Sequence, residues 1–208
     1  MLVGSLILGV ACGLIAAWLG VLYVPAERLR SPYQLRLAQK NYAAEVRPLA
    51  KELGLPYAYF MALTVLECSG EKPCDTRFEN HVFEKLEGVR NGERKRYGKV
   101  RQEHIHDATD DALRNLATSW GPFQLMGYKC IDMSVHVADI RGEDAVRQGM
   151  GWISEEYGGL LREGAFKDAF HIHNSGRPYP KTGPPRTHDP RYVERGLRYM
   201  DYFDERVP

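Results

Sequence analysis

The distribution of charge along the chain is the feature that most restricts its fold. All 55 charged residues, 28 Lys and Arg with 27 Asp and Glu, lie after position 25 of the 208-residue sequence. The first 24 residues therefore form one uncharged, largely apolar segment, and the charged remainder excludes a protein with several membrane spans. That remainder is long enough for a single domain with its own hydrophobic core.

The uncharged segment, residues 1–24, predicts one transmembrane or signal-anchor helix. Residues 2–24 would span roughly 34 Å as a helix, which is enough to cross a bilayer core. Residues 21–25 make a poor signal-peptide cleavage site, and no basic residue precedes the apolar stretch. An uncleaved anchor is therefore favoured over a cleaved signal peptide. Its many Gly and Ala residues fit either a helix-packing face or an anchor that can leave the membrane.

After a linker predicted at 25–34, which contains Pro25 and Pro32, residues 35–208 predict a single mostly α-helical domain. The helix spanning 57–67 is apolar nearly all round, so we expect it to be buried. Residues 88–107 are dense in charge and predict a solvated loop, and the proline-rich residues 174–190 predict another loop. Apolar spacing of three and four residues predicts helices over 35–53, 57–67, 108–116, 143–161, 165–172 and 191–203, with a short element at 78–86.

Glu67 ends the apolar helix and is the first candidate for chemistry. A carboxyl group at the rim of an apolar wall is partly desolvated, which favours its protonated form and suits a general acid. The alternative is a helix-terminal carboxylate that faces water.

The second candidate is the segment SWGPFQLMG at residues 119–127. Its Trp and Phe side chains can stack on sugar faces, and its Gln can hydrogen-bond to hydroxyl or acetamide groups. Composition alone favours the alternative, which is a turn in the core with a buried Trp.

Four segments of the chain, in this order, resemble the N-acetylmuramidase family found in phage endolysins: ALTVLECSG (62–70), RFENHVF (77–83), ALRNLATSWGPFQLMG (112–127) and HNSG (173–176). This family belongs to the lysozyme-like group, together with goose-type lysozymes and lytic transglycosylases. The resemblance covers roughly residues 55–205. It implies a lysozyme-like fold and cleavage of the β-1,4 bond between N-acetylmuramic acid and N-acetylglucosamine in peptidoglycan.

The resemblance implies roles for individual residues. Glu67 matches the catalytic general acid of the family, and Glu79 matches a second acidic position. The chain departs from the family at Cys68, where a small residue is usual, and at His173, where an aromatic residue precedes the Asn. The residues predicted to contact the glycan are Ser69, Ser119, Trp120, Phe123, Gln124, Met126 and Asn174.

Two reaction courses remain open at this stage. If Glu79 activates a water molecule opposite Glu67, the reaction is an inverting hydrolysis. If no second carboxylate acts, the 6-hydroxyl group of the substrate attacks, and a 1,6-anhydro product forms as in lytic transglycosylases. Glu79 would then be a structural carboxylate on a helix.

The disulfide candidates are Cys68, Cys74, Cys130 and Cys12, and three pairings of these four are possible. Cys68 and Cys74 are close enough in sequence to form a bond. A second hypothesis joins the cysteines to the anchor, as in signal-arrest-release endolysins. A disulfide at Cys68 would distort the end of the catalytic helix until Cys12 leaves the lipid and exchanges with it. The alternative is a static anchor with one structural disulfide.

Other kinds of function are disfavoured. The net charge of +1 argues against a nucleic-acid-coating protein, and the absence of GxGxxG and Walker A patterns argues against a nucleotide cofactor. The His104-x-His106 and His171-x-His173 pairs lack the spacing of zinc hydrolases, so neither a metal nor any other cofactor is expected. We expect contacts with peptidoglycan strands and, through the anchor, with the lipid bilayer.

The expected location is the inner membrane, with the catalytic domain in the periplasm or cell-wall space. Basic residues directly after the anchor argue for the opposite orientation by the positive-inside rule. The alternatives to a lytic muramidase are a lytic transglycosylase for local wall opening in secretion or virion entry, and an inactive wall-binding protein.

Overall fold

The computed structural model describes the backbone of residues 26–204 and the side chains of residues 32–204. Its contacts divide the chain into two units, Met1–Tyr33 and Gln34–Pro208, and the features below belong to the second. The predicted anchor at residues 2–24 lies outside the described residues. No helix between residues 26 and 204 combines the length and the apolar character that a bilayer crossing requires.

The described residues form ten helices and five short strands, which confirms the prediction of a mostly α-helical domain. The helices are α1 Ala26–Leu53, α2 Tyr57–Cys68, α3 Asn80–Arg90, α4 Gln102–Ile105, α5 Asp110–Leu116, α6 Lys129–Met133, α7 Val137–Arg141, α8 Ala145–Arg162, α9 Phe166–Ser175 and α10 Tyr192–Asp204. The strands are β1 Arg77–Phe78, β2 Arg96–Tyr97, β3 Val100–Arg101, β4 Thr118–Trp120 and β5 Leu125–Met126.

Helix α1 begins at Ala26, so residues 26–34, predicted as part of a linker, are helical. Pro32 lies inside this helix, as does Pro48. A proline removes one hydrogen bond and bends a helix, but it does not have to end one. The apolar positions that follow Pro32, among them Leu35 and Ala38, are buried and hold the helix against its neighbours.

The larger of two hydrophobic cores is formed by α1, α2, α8, α9 and α10. Helix α2 lies at its centre, with every side chain from Ala58 to Val65 buried, as its all-round apolar sequence predicts. The chain leaves α2 through Gly70, whose φ of +73° is easily adopted only by glycine. A Cβ atom at Gly70 would lie 2.6 Å from the backbone nitrogen of Ala38, so this turn packs directly on α1.

The smaller core joins α3, α5, α6 and α7 to the segment that was predicted as a solvated loop. Residues 88–107 instead contain the end of α3, a β2–β3 hairpin and the short helix α4. Two apolar residues within this charged run explain the difference. Val100 and Ile105 are both buried in the smaller core, and they order the charged residues around them.

A three-stranded antiparallel sheet in the order β1–β4–β5 packs against the smaller core through Phe78, Trp120 and Met126. Arg77 pairs with Ser119, and Ser119 pairs with Met126. Paired residues in neighbouring strands lie on the same face, and the next residue along each strand lies on the opposite face. Ser119 and Trp120 therefore point to different sides of the sheet, which decides what each of them can contact.

Candidate active site

A groove of about 670 Å³ separates the α2 end of the larger core from the sheet. We call it the Glu67 groove. Its helical wall is formed mainly by Glu67, His173, Asn174 and Tyr192, and its sheet wall mainly by Arg77, Glu79, Ser119, Gln124 and Met126. The groove thus collects both predicted carboxyl groups and four of the seven predicted glycan contacts.

Glu67 lies in the last turn of α2, and 16% of its side chain is exposed. The helix ends at Ser69, which adopts a left-handed conformation and whose backbone N–H binds the carbonyl of Val65. Ser69 is therefore a helix cap and does not line the Glu67 groove, unlike its predicted role. The sharp end of α2 leaves the Glu67 carboxyl at the border between the apolar core and the open groove.

The Glu67 carboxyl is held from the side of the core. The Tyr192 hydroxyl donates a hydrogen bond to Oε1 of Glu67, and the His173 Nε2 atom lies 3.8 Å from the same oxygen. The His173 distance is too long for a hydrogen bond, so Tyr192 provides the hydrogen bond to Oε1 and leaves Oε2 as the oxygen that Tyr192 does not bind. A hydroxyl group 125 residues away along the chain therefore orients the Glu67 carboxyl group.

A buried network of hydrogen bonds holds the His173 ring. Its Nε2 atom lies 3.0 Å from the Phe123 carbonyl oxygen, and its Nδ1 atom lies 2.7 Å from the Tyr157 hydroxyl. The carbonyl can only accept, so Nε2 carries the proton and Nδ1 accepts from Tyr157. The Tyr59 hydroxyl in turn donates to the Tyr157 oxygen over 3.3 Å.

Burial determines the protonation states of the side chains in this network. It lowers the pKa of the His173 imidazole, so the ring is neutral near pH 7. It raises the pKa of the Tyr59, Tyr157 and Tyr192 hydroxyls, which therefore keep their protons. With neutral members throughout, the network needs no charged partner inside the core.

Sequence reasoning missed the three tyrosines of this network. Tyr59 and Tyr157 lie in helices whose apolar neighbours mask a polar role, and Tyr192 follows the proline-rich segment. The departure at His173 was noticed, and its ring nitrogens do need partners in a buried site. A search for hydroxyl donors that could satisfy His173 is the signal that would have found Tyr157.

Glu79 directly precedes α3 and directly follows β1. The Arg77 guanidinium donates to its Oε1 atom, and the His81 Nδ1 atom lies 3.4 Å from Oε2. The side chain is 20% exposed. The structure thus places a hydrogen-bonded carboxylate on the sheet wall of the groove, while Glu67 lies on the helical wall.

Part of the predicted glycan-contact segment lines the groove and part does not. Gln124 has a φ of +48°; its amide donates to the Asp75 carbonyl over 2.9 Å, and its Oε1 atom accepts from Ser119 over 2.7 Å. Phe123 is 1% exposed and packs edge-on against Phe60 in the larger core, so it is not available to a glycan. Trp120 lies on the opposite side of the sheet and lines a neighbouring groove.

Asn174 lines the Glu67 groove, but its side-chain oxygen already accepts a hydrogen bond from the His188 backbone N–H over 3.0 Å. The buried His171 binds the same loop, with Nδ1 at 2.7 Å from the Arg177 carbonyl and Nε2 accepting from the Arg186 N–H. These contacts attach the proline-rich segment, predicted as a loop at 174–190, to α9. His171 thus has a structural role.

Cys68, Cys74 and Cys130 are free thiols, and Cys12 lies outside the described residues. The Tyr42 hydroxyl contacts the sulfur atoms of both Cys68 and Cys74, at 3.6 and 3.0 Å. Hydrogen bonding from the Cys68 thiol lowers the pKa of Cys74, although burial opposes the shift. Cys130 lies apart in the smaller core. The structure therefore brings together Cys68 and Cys74, one of the predicted pairs.

Between residues 32 and 204, no group of three or more His, Cys, Asp and Glu side chains is arranged to hold a metal ion. Comparison of the chain with models of protein families, with curated proteins and with solved structures finds no match.

Proposed function

We propose that this chain is a peptidoglycan glycosidase that cleaves the β-1,4 bond between N-acetylmuramic acid and N-acetylglucosamine, with Glu67 as general acid. The observation that carries the proposal is the position of Glu67. Its carboxyl group lies at the wall of a groove large enough for sugar rings and is oriented by the hydrogen bond from Tyr192. The resemblance to phage N-acetylmuramidases, read from the sequence, supports the same residue in the same role.

In the proposed reaction, Glu67 donates a proton from Oε2 to the glycosidic oxygen as the bond breaks. The anomeric carbon then develops oxocarbenium-like charge. The Tyr192 hydroxyl remains on Oε1 throughout and stabilises the carboxylate that forms when the proton leaves. A general acid of this kind contributes roughly 10²- to 10⁴-fold to the rate.

Glu79 is the proposed second group. Its carboxylate is bound to Arg77 on the opposite wall of the groove, where it can take a proton from the water molecule that attacks the anomeric carbon. Inverting glycosidases place their two carboxyl groups roughly 6.5–9.5 Å apart to leave room for this water. We propose hydrolysis with inversion because both carboxyl groups line the same groove.

The finer fold and the location belong to the same proposal. A helical core, a small sheet and a groove between them support a lysozyme-like domain. Residues 2–24 would anchor this domain in the inner membrane, with the groove facing the cell wall. The sequence hypothesis of release from the membrane, with exchange between Cys12 and Cys68, is part of this proposal.

The test is digestion of purified peptidoglycan by the full chain, with and without reductant, followed by mass spectrometry of the fragments. We expect fragments that end in reducing muramic acid. Glu67→Gln keeps the acceptor for Tyr192 but has no acidic proton, so we expect it to lower the rate by about 10²- to 10⁴-fold. Glu71→Gln is the matched control, because Glu71 is an exposed acid four residues away that does not line the groove.

Three outcomes contradict parts of the proposal. Anhydro products would identify a lytic transglycosylase and remove Glu79 from the mechanism. Equal activity of Glu67→Gln and wild type would remove Glu67. No cleavage in either redox state would refute the glycosidase and leave a wall-binding protein in its place.

A further inference from the structure

A second groove, of about 550 Å³, lies beside the Glu67 groove. We call it the Trp120 groove, after the side chain that the strand β4 directs into it. Thr76 lines both grooves, so the two grooves meet at this residue. The proposed glycosidase reaction makes no use of this second groove.

The lining of the Trp120 groove suits small apolar groups. Its walls include Pro73, Pro122, Ala138, Ala145 and Val146, which offer no side-chain hydrogen-bond donors or acceptors. A sugar ring carries a hydroxyl or acetamide group on most of its carbons and needs many such partners. The walls instead match methyl-sized side chains and the hydrocarbon parts of a peptide.

Trp120 itself is not free to hold a sugar. The Arg141 guanidinium lies 5.6 Å from the centre of its ring and covers one face. The indole N–H donates to the Asn115 carbonyl over 2.9 Å. Trp120 therefore offers neither an open stacking face on that side nor a donor to a hydroxyl group, which argues against a further glycan subsite.

The charged side chains in the lining are Lys72, Glu45, Glu143 and Arg141, and Arg141 is the one that can select an acidic ligand. It is exposed at the end of α7, and within the described residues its recorded contact is with the Trp120 ring and not with a carboxylate. The opposite cation of the groove, Lys72, is already paired with Glu45. The planar guanidinium group of Arg141 can therefore bind a carboxylate through two hydrogen bonds.

We propose that the Trp120 groove binds the acidic, alanine-containing stem peptide that muramic acid carries, an inference that rests on the proposed function. The peptide is a branch of the glycan, and the Trp120 groove meets the Glu67 groove at Thr76. Its alanine methyl groups contact the apolar walls, and its glutamyl carboxylate binds Arg141. The chain thereby selects glycan that still carries peptide.

The first experiment measures binding by calorimetry, with the full chain in detergent and synthetic N-acetyl-L-alanyl-γ-D-glutamyl-L-lysyl-D-alanine. We expect measurable binding that falls at least tenfold when the glutamyl carboxylate of the peptide is amidated. Arg141→Gln should produce a similar loss. Ala138→Phe should do so by filling the groove, since Ala138 is exposed and is not part of either core. Arg96→Gln, in the β2–β3 hairpin, is the matched control and should bind as wild type does.

The second experiment compares kcat/KM on intact peptidoglycan and on glycan strands from which the peptides have been removed. Wild type and Arg96→Gln should prefer the peptide-bearing strands about tenfold or more, and Arg141→Gln should lose that preference. Absence of peptide binding, or equal binding of the amidated peptide, overturns the inference whatever happens to the glycan. Peptide binding without any glycan cleavage supports the inference and refutes the proposed function.

Discussion

Tyr192→Phe is the most informative single substitution, because it deletes one oxygen atom from the group that orients Glu67. The ring is 4% exposed and packs edge-on against Phe170, so phenylalanine keeps its place in the core. The hydrogen bond to Oε1 of Glu67 is lost. Any change in activity therefore reports on that hydroxyl and not on the packing of α10.

The size of the effect follows from the chemistry of the bond. A hydrogen bond to a charged group is worth about 1.5–3 kcal/mol. During the proposed reaction Glu67 becomes a carboxylate, so the bond stabilises the transition state more than the bound substrate. Losing it should lower kcat roughly 10- to 150-fold and leave KM nearly unchanged. Water can reach the partly exposed Glu67 carboxyl, so the loss of folding stability should be smaller, about 1 kcal/mol.

The assay combines initial rates of peptidoglycan solubilisation with thermal unfolding of the same preparations. Tyr199→Phe is the matched control, since Tyr199 lies in the same helix, is 6% exposed and does not line the Glu67 groove. We expect it to keep wild-type kcat. A Tyr192→Phe variant with kcat within twofold of wild type would refute the orienting role, as would an equal loss of kcat in both variants.

Three further predictions concern stability and thiol chemistry. Burial lowers the pKa of His173 below its unfolded value near 6.5, so the unfolded chain binds a proton at a higher pH than the folded chain does. The free energy of unfolding should therefore fall as the pH drops below about 6.5, by up to about 1.4 kcal/mol per pH unit. Denaturant melts should show this pH dependence in wild type and lack it in His173→Gln. The same pH dependence in both proteins would show that His173 is not its source. Gly70→Ala should destabilise by roughly 2–4 kcal/mol through positive φ and a backbone clash, whereas Gly164→Ala, at the same φ of +73° with open space, should cost about 1–2 kcal/mol in the same melts. In reduced protein at about pH 8, mass mapping should find Cys74 alkylated before Cys130, because a neighbouring thiol lowers the pKa of Cys74 and burial raises that of Cys130 to about 11; the reverse order would contradict it.

The helical body could be predicted because long apolar periodicities dominate local structure. The stretch at residues 57–67 is apolar on every side, and a helix with such a sequence is stable only when it is buried. The hairpin around Val100 was missed because two buried side chains within a charged run leave no periodic signal. The helix over residues 26–34 was missed because Pro32 was taken to interrupt it, although a helix can continue past a proline.

The two acidic residues of the candidate site were predicted, but the tyrosine that orients Glu67 was not. Glu67 stands out in the sequence because a carboxyl group at the end of an apolar helix is unusual, whereas Glu79 was indicated by the family resemblance alone. Phe123 and Trp120 were placed in the glycan site by their residue types, yet the pleat of β4 and the turn after it direct both elsewhere. Tyr192 lies 125 residues from Glu67, and only tertiary structure brings such a pair together.

The distance along the chain between Glu67 and Tyr192 has a consequence for the order of synthesis. Helix α2 leaves the ribosome early, and α10 is among the last segments to follow. Until α10 docks, the carboxyl group that would cut the wall lacks the hydroxyl that aims it, and the wall of its groove is incomplete. Under the proposed function, we expect a nascent chain, or one truncated before residue 192, to lack activity until α10 has been made and has docked.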